Sequence, residues 1–308
     1  MLAFTLKRLL LLLPVFFVVS LVVFLIIHLV PGDPIDNLLR PGASPAQRLQ
    51  IAAKYGLDRG LAEQYFVWMG RLLTGDLGTS IVQGRPVSAL IAQNLPYSLQ
   101  LGAAALLFSA LIGIAAGVVA ASFQGTRLDD GITGVILLGS TVPSFFLGLL
   151  LILVFAVWLG WVPISGARGW SSLILPVLAT GLGGIALVAR VTRIAMVETA
   201  RQDFVMLLHA KGLSPLVIQL RHVLRHAMVP VVTILSLRIG WILGGTVTVE
   251  YVFARPGLGS LLIRALNQRD YPLVQGCLLM LAMAVILGTL MGDVIQAAMD
   301  PRQREARA

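Results

Sequence analysis

The stretch LLLLLPVFFVVSLVVFLIIHLV, residues 9–30, decides the fold class of this chain. It has no charged residue, and a helix of this length rises roughly 33 Å, which is enough to cross the hydrocarbon of a bilayer. Lys7 and Arg8 precede it, as basic residues also precede a secretory signal peptide. The apolar part is too long for such a peptide and no small-residue cleavage site follows, so we expect an uncleaved membrane helix.

The composition of the whole chain agrees with a membrane protein. Of its 308 residues, 57% are hydrophobic and only 12% are charged, whereas soluble domains carry roughly 25% charged residues. The net charge of +9 is typical of basic residues that flank spans on the cytoplasmic side, and no basic cluster with interleaved aromatic residues indicates nucleic-acid binding. Cys277 is the only cysteine, which excludes a disulfide or a cysteine-based metal site within the chain.

Six apolar runs are long enough to span a bilayer. They cover residues 9–30, 99–121, 132–159, 173–196, 229–250 and 273–298. The sequence therefore predicts an all-α integral membrane protein with six transmembrane helices. We find no internal repeat and no pair of broken helices, features that would favour a secondary transporter.

The distribution of Lys and Arg predicts the orientation of these spans. With the N-terminus inside, twelve of them lie in inside segments or at their edges and four lie in short outside loops. We therefore expect both termini in the cytoplasm, and the single cysteine fits a location in a bacterial inner membrane. The predicted division is a first helix with its cytoplasmic start (1–30), an external helical segment (31–98), a five-helix core (99–298) and a cytoplasmic tail (299–308).

Two loops carry more structure than a connection needs. The external segment 31–98 has amphipathic helical stretches, which suit either a scaffold lying on the membrane or a docking face for an external protein. The cytoplasmic loop 197–228 has helical stretches at 199–211 and 215–228, separated by Gly212, a residue suited to a left-handed helix cap. Such a helix–turn–helix suits a cytoplasmic partner, and the alternative is a helix resting on lipid headgroups.

Several catalytic signatures are missing from the sequence. It has no G-x-x-x-x-G-K-[ST] phosphate loop, no H-E-x-x-H and no G-x-S-x-G. His222 and His226 lie one helical turn apart, but two ligands among Arg residues do not make a metal site. We therefore expect no catalytic residue, no metal site and no cofactor in this chain.

Ionisable residues within the spans mark a transport path or a structural lock. Arg238 lies in the fifth span, Asp293 in the sixth and His28 near the end of the first. Arg238 and Asp293 are candidates for a translocation path, and pairing with each other is the alternative. Glu250, near the outer end of the fifth span, is expected to reach towards the headgroups.

The order of short motifs along the chain resembles a known family from end to end. The matching pieces are PGDP (31–34), YGLD (55–58), GDLG (75–78), VPISG (162–166), ILP (174–176), AR and TR (189–190 and 192–193), DF (203–204), AKGL (210–213), LRHA (224–227), PGLG (256–259), RDYP (269–272) and DPR (300–302). In this order and spacing they resemble the first of the two permease subunits of bacterial ABC importers in the dipeptide, oligopeptide and nickel class.

That resemblance implies a fold like the permeases of type I ABC importers and a coupling helix that fits a groove on an ATP-binding subunit. The residues expected to couple are Asp203, Phe204, Leu207, Ala210, Lys211, Gly212 and Leu213. The family's E-A-A-x3-G motif is altered here, because Met206, Leu207 and Leu208 replace its first three positions. An exposed apolar face of this kind needs a cover, which we interpret as the ATPase. Arg238 is a second departure, since a neutral residue is expected at its position.

The resemblance also implies the partners and the outer contacts. The partners would be a second similar permease subunit, two cytoplasmic ATP-binding subunits that hold ATP and magnesium, an external solute-binding protein and membrane lipid. Pro256, Gly257, Arg269 and Asp270 are candidates for an outer gate or a contact with the binding protein. The cargo would be peptides or related small solutes such as nickel chelates.

Two alternative functions follow from the residues themselves. One is an ion- or proton-coupled secondary carrier that uses Asp293 and His28 as coupling groups. The other is a membrane assembly or receptor subunit that does not transport. Loss of uptake on deleting the chain, together with ATP hydrolysis by co-purified subunits, would separate these functions from the importer.

Overall fold

A computed structural model describes residues 2–29, 44–47, 49–50, 58–167 and 169–299. Within these ranges the chain is helical apart from turns and one isolated antiparallel bridge between Thr79 and Pro86. The motif stretches 31–34, 55–57 and 300–302 lie outside the described residues.

Eleven helices are numbered here in chain order. They are α1 (Leu2–Leu29), α2 (Leu61–Leu73), α3 (Val87–Ser122), α4 (Arg127–Thr141), α5 (Ser144–Leu151, continued by π-helical turns at Ile152–Trp158), α6 (Ser171–Ala200), α7 (Asp203–Ala210), α8 (Pro215–Ile239, with π-helical turns at Ile218–Val223), α9 (Ile242–Val252), α10 (Leu258–Asn267) and α11 (Tyr271–Met299). Five of them, α1, α3, α6, α8 and α11, are long and apolar enough to cross a membrane.

The third predicted span, 132–159, is a bent pair of helices. Counted as one span it brings the total to the six that the sequence predicts, but the expectation of an unbroken helix is wrong. Its halves, Arg127–Gly139 and Ser144–Trp158, meet at an angle of 98°. The bend has a local cause at Pro143. Val142 before it has extended backbone (φ −81°, ψ 125°), because the proline ring disfavours helical geometry in the preceding residue.

The fifth span also differs from the predicted single helix over 229–250. The helix begins at Pro215, so the predicted cytoplasmic stretch 215–228 is its first part, and it stops at Ile239 before α9 starts at Ile242. Gly240 at the break lies against α11, where a Cβ on Gly288 would come within 2.7 Å of the Gly240 Cα. Irregular backbone at membrane depth is tolerated where protein covers it or where it lines a cavity.

Close packing of α3 on α6 forms the centre of the bundle. A Cβ on Gly113 would meet Val188 at 2.7 Å, and one on Gly117 would overlap Thr192 and the Ala189 carbonyl at 2.6 Å. The small residues spaced four apart therefore let these two helices approach closely within the subunit. Gly292 on α11 makes the same kind of contact with the Ser236 carbonyl on α8.

The helix α2, in the segment that the sequence predicts to be external, packs on the membrane helix α1. The Tyr65 hydroxyl is 2.9 Å from the Ser20 hydroxyl, and the Phe24 ring lies edge-on to Tyr65 with centroids 5.4 Å apart. Trp68 stacks at a tilt on the same Phe24, and Met69 is buried beside them. The aromatic residues of α2 are thus used within the chain, which favours the scaffold interpretation of this segment.

Candidate functional site

The short helix α7 has one face packed on its own chain. Val205 is buried in a cluster with Ala195, Met196, Ile218 and Val223, and Phe204 and Leu208 pack at its edge. The Phe204 ring also lies 4.9 Å from the His226 ring. These contacts join α7 to the C-terminal end of α6 and to the N-terminal part of α8.

The opposite face of α7 is apolar and uncovered. Met206 is 73% exposed and Leu207 is 56% exposed, and Asp203, Ala210 and Lys211 lie on exposed positions around them. Leu208 points to the packed side, so the predicted apolar face of three residues consists of Met206 and Leu207. An exposed apolar pair on a helix marks an interaction surface when it is rimmed by polar residues.

Gly212 ends α7 in the left-handed conformation predicted for it, with φ +78°. Its N–H donates to the His209 carbonyl at 2.9 Å, and the Leu213 N–H donates to the Leu208 carbonyl at 3.3 Å. No atom lies within 4 Å of the place where a Cβ on Gly212 would sit. Glycine is therefore required here for its backbone conformation, which sets the direction from α7 into α8.

Arg238 lies inside the bundle, at the last turn of α8. Its guanidinium occupies the space above Gly184 of α6, where a Cβ would overlap the Arg238 Nη1 and the Ser109 hydroxyl. The residue is half-buried, and among the described residues no carboxylate or hydrogen-bond acceptor pairs with it.

Asp293 pairs with Arg8 of α1 at 2.9 Å and is largely buried. The alternative of a lock between Arg238 and Asp293 is therefore wrong, because the arginine that reaches this acid comes from the first helix. The ion pair fastens α1 to α11 and gives Asp293 a structural role. Whether Asp293 also lies on a translocation path stays a prediction.

The outer candidates divide into buried and exposed residues. Asp270 is fully buried, where it accepts hydrogen bonds from the Ser80 hydroxyl and from the N–H groups of Ile81 (3.1 Å) and Val82 (3.4 Å). It therefore holds the loop at residues 80–82 to the start of α11, and its buried carboxylate offers no surface to a binding protein. Arg269 beside it is exposed and has φ +53°.

Gly257 and Glu250 are buried in contact with each other at the start of α10. The Glu250 carboxylate and the groups that it binds are called the Glu250 bracket below. The Glu250 carboxylate accepts the N–H groups of Gly259 (2.8 Å) and Ser260 (3.2 Å) and the Thr246 hydroxyl (2.9 Å). A negative charge at a helix N-terminus is favourable. The expectation that Glu250 reaches towards the headgroups is wrong, because the free N–H groups of α10 bind its carboxylate within the protein. Pro256, which precedes this bracket, is half-buried.

Arg255 lies between these two residues in the chain and is 2% exposed. It donates to the Gln100 side chain at 2.7 Å, and its guanidinium lies 5.9 Å from the centre of the Tyr97 ring. Burial lowers the pKa of Arg255, while Glu250 and Tyr97 raise it. This hydrogen bond and this ring contact fix the loop from α9 to α10 to α3.

Sequence reasoning missed the ion pair between Asp129 and Arg193. Arg193 of α6 donates to both carboxylate oxygens of Asp129 on α4, at 2.6 and 2.5 Å, and Asp129 is 2% exposed. The Gly125 N–H donates to the same carboxylate at 3.1 Å. The only signal in the sequence was an acidic first turn of α4, which does not reveal a partner 64 positions away.

We expect Asp129→Asn to destabilise the protein, because it leaves the Arg193 guanidinium without its anionic partner. The cost should be about 1–3 kcal/mol, since Arg193 is partly exposed and the solvent screens it. The measurement is the melting temperature of the purified chain in detergent. Asp130→Asn is the matched control, because Asp130 is exposed and its loss should change stability by less than about 0.5 kcal/mol. Equal melting temperatures for the two variants would contradict the assigned role.

No group of three or more His, Cys, Asp or Glu residues that could hold a metal ion occurs within the described part of the chain. The His226 Nδ1 lies 2.9 Å from the His222 carbonyl oxygen, and its ring faces Phe204. This histidine therefore has a packing role in joining α7 to α8.

Comparison with protein families gives two matches that together cover nearly the whole chain. Residues 113–305 match the family described as binding-protein-dependent transport system inner membrane component. Residues 1–102 match the N-terminal family of such transport system membrane components. The boundary between the two matches falls within α3.

Curated relatives are similar over the full length. The chain is 40% identical to the glutathione transport system permease protein GsiC of Escherichia coli O6:H1 and 39% identical to that of Shigella flexneri serotype 5b, in each case over 99% of both chains. Among solved structures, a chain of the methionine ABC transporter MetNI in inward facing conformations matches with a TM-score of 0.59 and 18% identity, over 68% of this chain and 96% of that one. This last match supports the fold.

Proposed function

The chain belongs to the family of binding-protein-dependent transport system inner membrane components, and we propose that it imports glutathione or other short peptides. It is the permease subunit of an ABC importer, a multi-pass inner membrane protein, and the ATPase activity lies in separate nucleotide-binding subunits. The family gives no support to the alternative of an ion-coupled carrier.

The likeness to the GsiC permeases is the single observation that carries the proposed cargo. It extends over 99% of both chains, so it includes the external segment and the outer loop as well as the core. A peptide cargo also agrees with the motif order of the sequence. Nickel chelates are the second cargo that the sequence predicts, and the relatives named above are described as glutathione permeases.

The assembly we propose has one further permease subunit of similar fold, two ATP-binding subunits, an external solute-binding protein and surrounding lipid. The solute-binding protein follows from the family, whose transport systems depend on a binding protein. The ATP-binding subunits are proposed because this sequence has no phosphate loop with which to bind ATP itself. We place both termini in the cytoplasm from the bias of basic residues. In this orientation α7 faces the ATPases and α10 faces the binding protein.

Coupling in this assembly runs through the segment 203–213. Met206 and Leu207 would enter the ATPase groove, Asp203, Ala210 and Lys211 would rim the contact, and Phe204 and Leu213 would transmit the displacement to α8. Gly212 would supply the turn. A hydrogen bond of 2.6 Å from the Ser122 hydroxyl to Gln219 extends the same link to the inner end of α3.

Reconstitution of the whole complex in proteoliposomes tests the proposal. We expect ATP hydrolysis to rise several-fold when the binding protein is loaded with glutathione or a dipeptide, and labelled peptide to accumulate only when ATP is present. A complex that responds to a nickel chelate alone, or that accumulates peptide without its ATPases, would refute the proposed cargo or the proposed mechanism respectively.

A further inference from the structure

We propose that Arg238 forms a carboxylate-binding subsite halfway across the membrane, which selects anionic cargo such as a peptide with a free C-terminus. The inference deepens the proposed function, because it assumes that this chain lines a solute path. It rests on the depth of Arg238, on its lack of a partner within the subunit and on the space provided for it.

The depth of the guanidinium follows from the helices around it. It lies over Gly184, which is near the midpoint of the spanning helix α6. Arg238 is also next to the break at Gly240 between α8 and α9, with roughly 20 Å of helix between it and the end of α9. Lipid phosphates are therefore out of reach, since the hydrocarbon alone is about 30 Å thick.

The acids that could neutralise Arg238 are occupied elsewhere. Asp293 pairs with Arg8, Asp129 pairs with Arg193, and Glu250 binds the N-terminus of α10. In the described chain Arg238 has no ion pair and no hydrogen bond. A cation held at membrane depth is costly, and such residues commonly mark a substrate pathway. An anionic solute would supply the missing charge.

The surroundings of Arg238 provide space for its guanidinium. Gly184 leaves the space that it fills, because any side chain there would overlap Nη1. The Ser109 hydroxyl lies at the same place and is fixed by the carbonyls of Ala105 and Gly181, each 2.7 Å away. Arg238 is nevertheless only half-buried, so part of the group can meet a solute.

A second donor lies nearby on α6. The Thr180 hydroxyl is buried and has no hydrogen-bond partner among the described residues. It is four positions before Gly184, so the two residues share one face of the helix. A carboxylate has two oxygens and accepts several hydrogen bonds, which suits a guanidinium with a hydroxyl one helical turn away.

The test compares the wild-type complex with Arg238→Gln and Arg238→Lys, and uses Arg59→Gln as the control. Arg59 is an exposed residue whose side chain pairs with the equally exposed Glu63, so Arg59→Gln removes the same charge away from the proposed path. We expect Arg238→Gln to lower ATP-dependent uptake of glutathione about 10-fold or more, because a charge-assisted contact is lost. Arg238→Lys should restore part of the uptake, and Arg59→Gln should transport like the wild type.

Direct binding separates this inference from the proposed function. Saturation-transfer NMR on the complex without its binding protein should show glutathione bound to the wild type, with a much weaker signal for glutathione diamide and for Arg238→Gln. Absent uptake by the wild type would reject the proposed cargo, while this measurement would still test the subsite. The subsite would be overturned if the Arg238→Gln variant took up and bound glutathione as well as the wild type does. It would also be overturned if that variant failed to assemble with the second permease subunit, because Arg238 would then have a structural role.

Discussion

Replacing Met206 and Leu207 together by aspartate should abolish ATP-driven uptake while the chain still folds and inserts. Both side chains are mostly exposed in the subunit, so the change leaves no buried cavity. In the assembly they would be buried against the ATPase. Losing one buried leucine costs about 1.5–3 kcal/mol, or roughly 10- to 100-fold in affinity, and a buried unpaired aspartate costs more.

The measurement for this double variant is uptake into proteoliposomes together with the amount of ATPase that co-purifies. Leu61→Asp is a suitable control, since Leu61 is 53% exposed at the first position of α2, where an aspartate suits the helix N-terminus. We expect the control to transport normally. Wild-type uptake by the double variant would show that this face of α7 does not carry the coupling.

Gly257→Ala should disrupt the outer loop, even though it adds a single methyl group. The new Cβ would overlap the carboxylate of Glu250, which is buried and binds the first N–H groups of α10. Moving the carboxylate leaves a buried charge and two N–H groups unpaired, at an expected cost of about 3 kcal/mol or more. The backbone is not the cause, because Gly257 has extended geometry.

The measurement for Gly257→Ala is the melting temperature in detergent, which should fall by roughly 2–4 °C for each kcal/mol lost. Gly245→Ala is the matched control, because Gly245 lies in α9 with no atom within 4 Å of its Cβ position. Alanine also has a higher helix propensity than glycine, so the control should be neutral or slightly stabilising. A normal melting temperature for Gly257→Ala would mean that Glu250 does not bracket α10.

Local features of this protein could be predicted from the sequence because neighbouring residues determine them. The apolar runs predicted the membrane spans, and Gly212 predicted the left-handed turn after α7. The bend at Pro143 was also readable, yet the long apolar run 132–159 favoured one continuous helix. The break after Ile239 has no such local signal, since it coincides with the contact of Gly240 on Gly288 from another helix.

Contacts between distant positions could not be predicted in this way. Asp270 and Ser80 are 190 positions apart, and neither residue type reveals that they meet beneath the external loop. The same holds for the ion pair of Asp293, whose partner is Arg8 and not the expected Arg238. In each case the sequence located a charged residue correctly, and only the packing of helices identified what neutralises it.

The central claim is that the neighbouring ATPase subunit contacts the permease at Met206 and Leu207. Photo-cross-linking from α7 tests this claim most directly. Leu207→Cys can be labelled selectively, since the natural Cys277 is buried. With a maleimide–diazirine probe we predict a cross-link from position 207 to the ATPase subunit, and none from Arg59→Cys on the outer side. An assembled, transporting complex that gives no ATPase cross-link from position 207 would contradict the account.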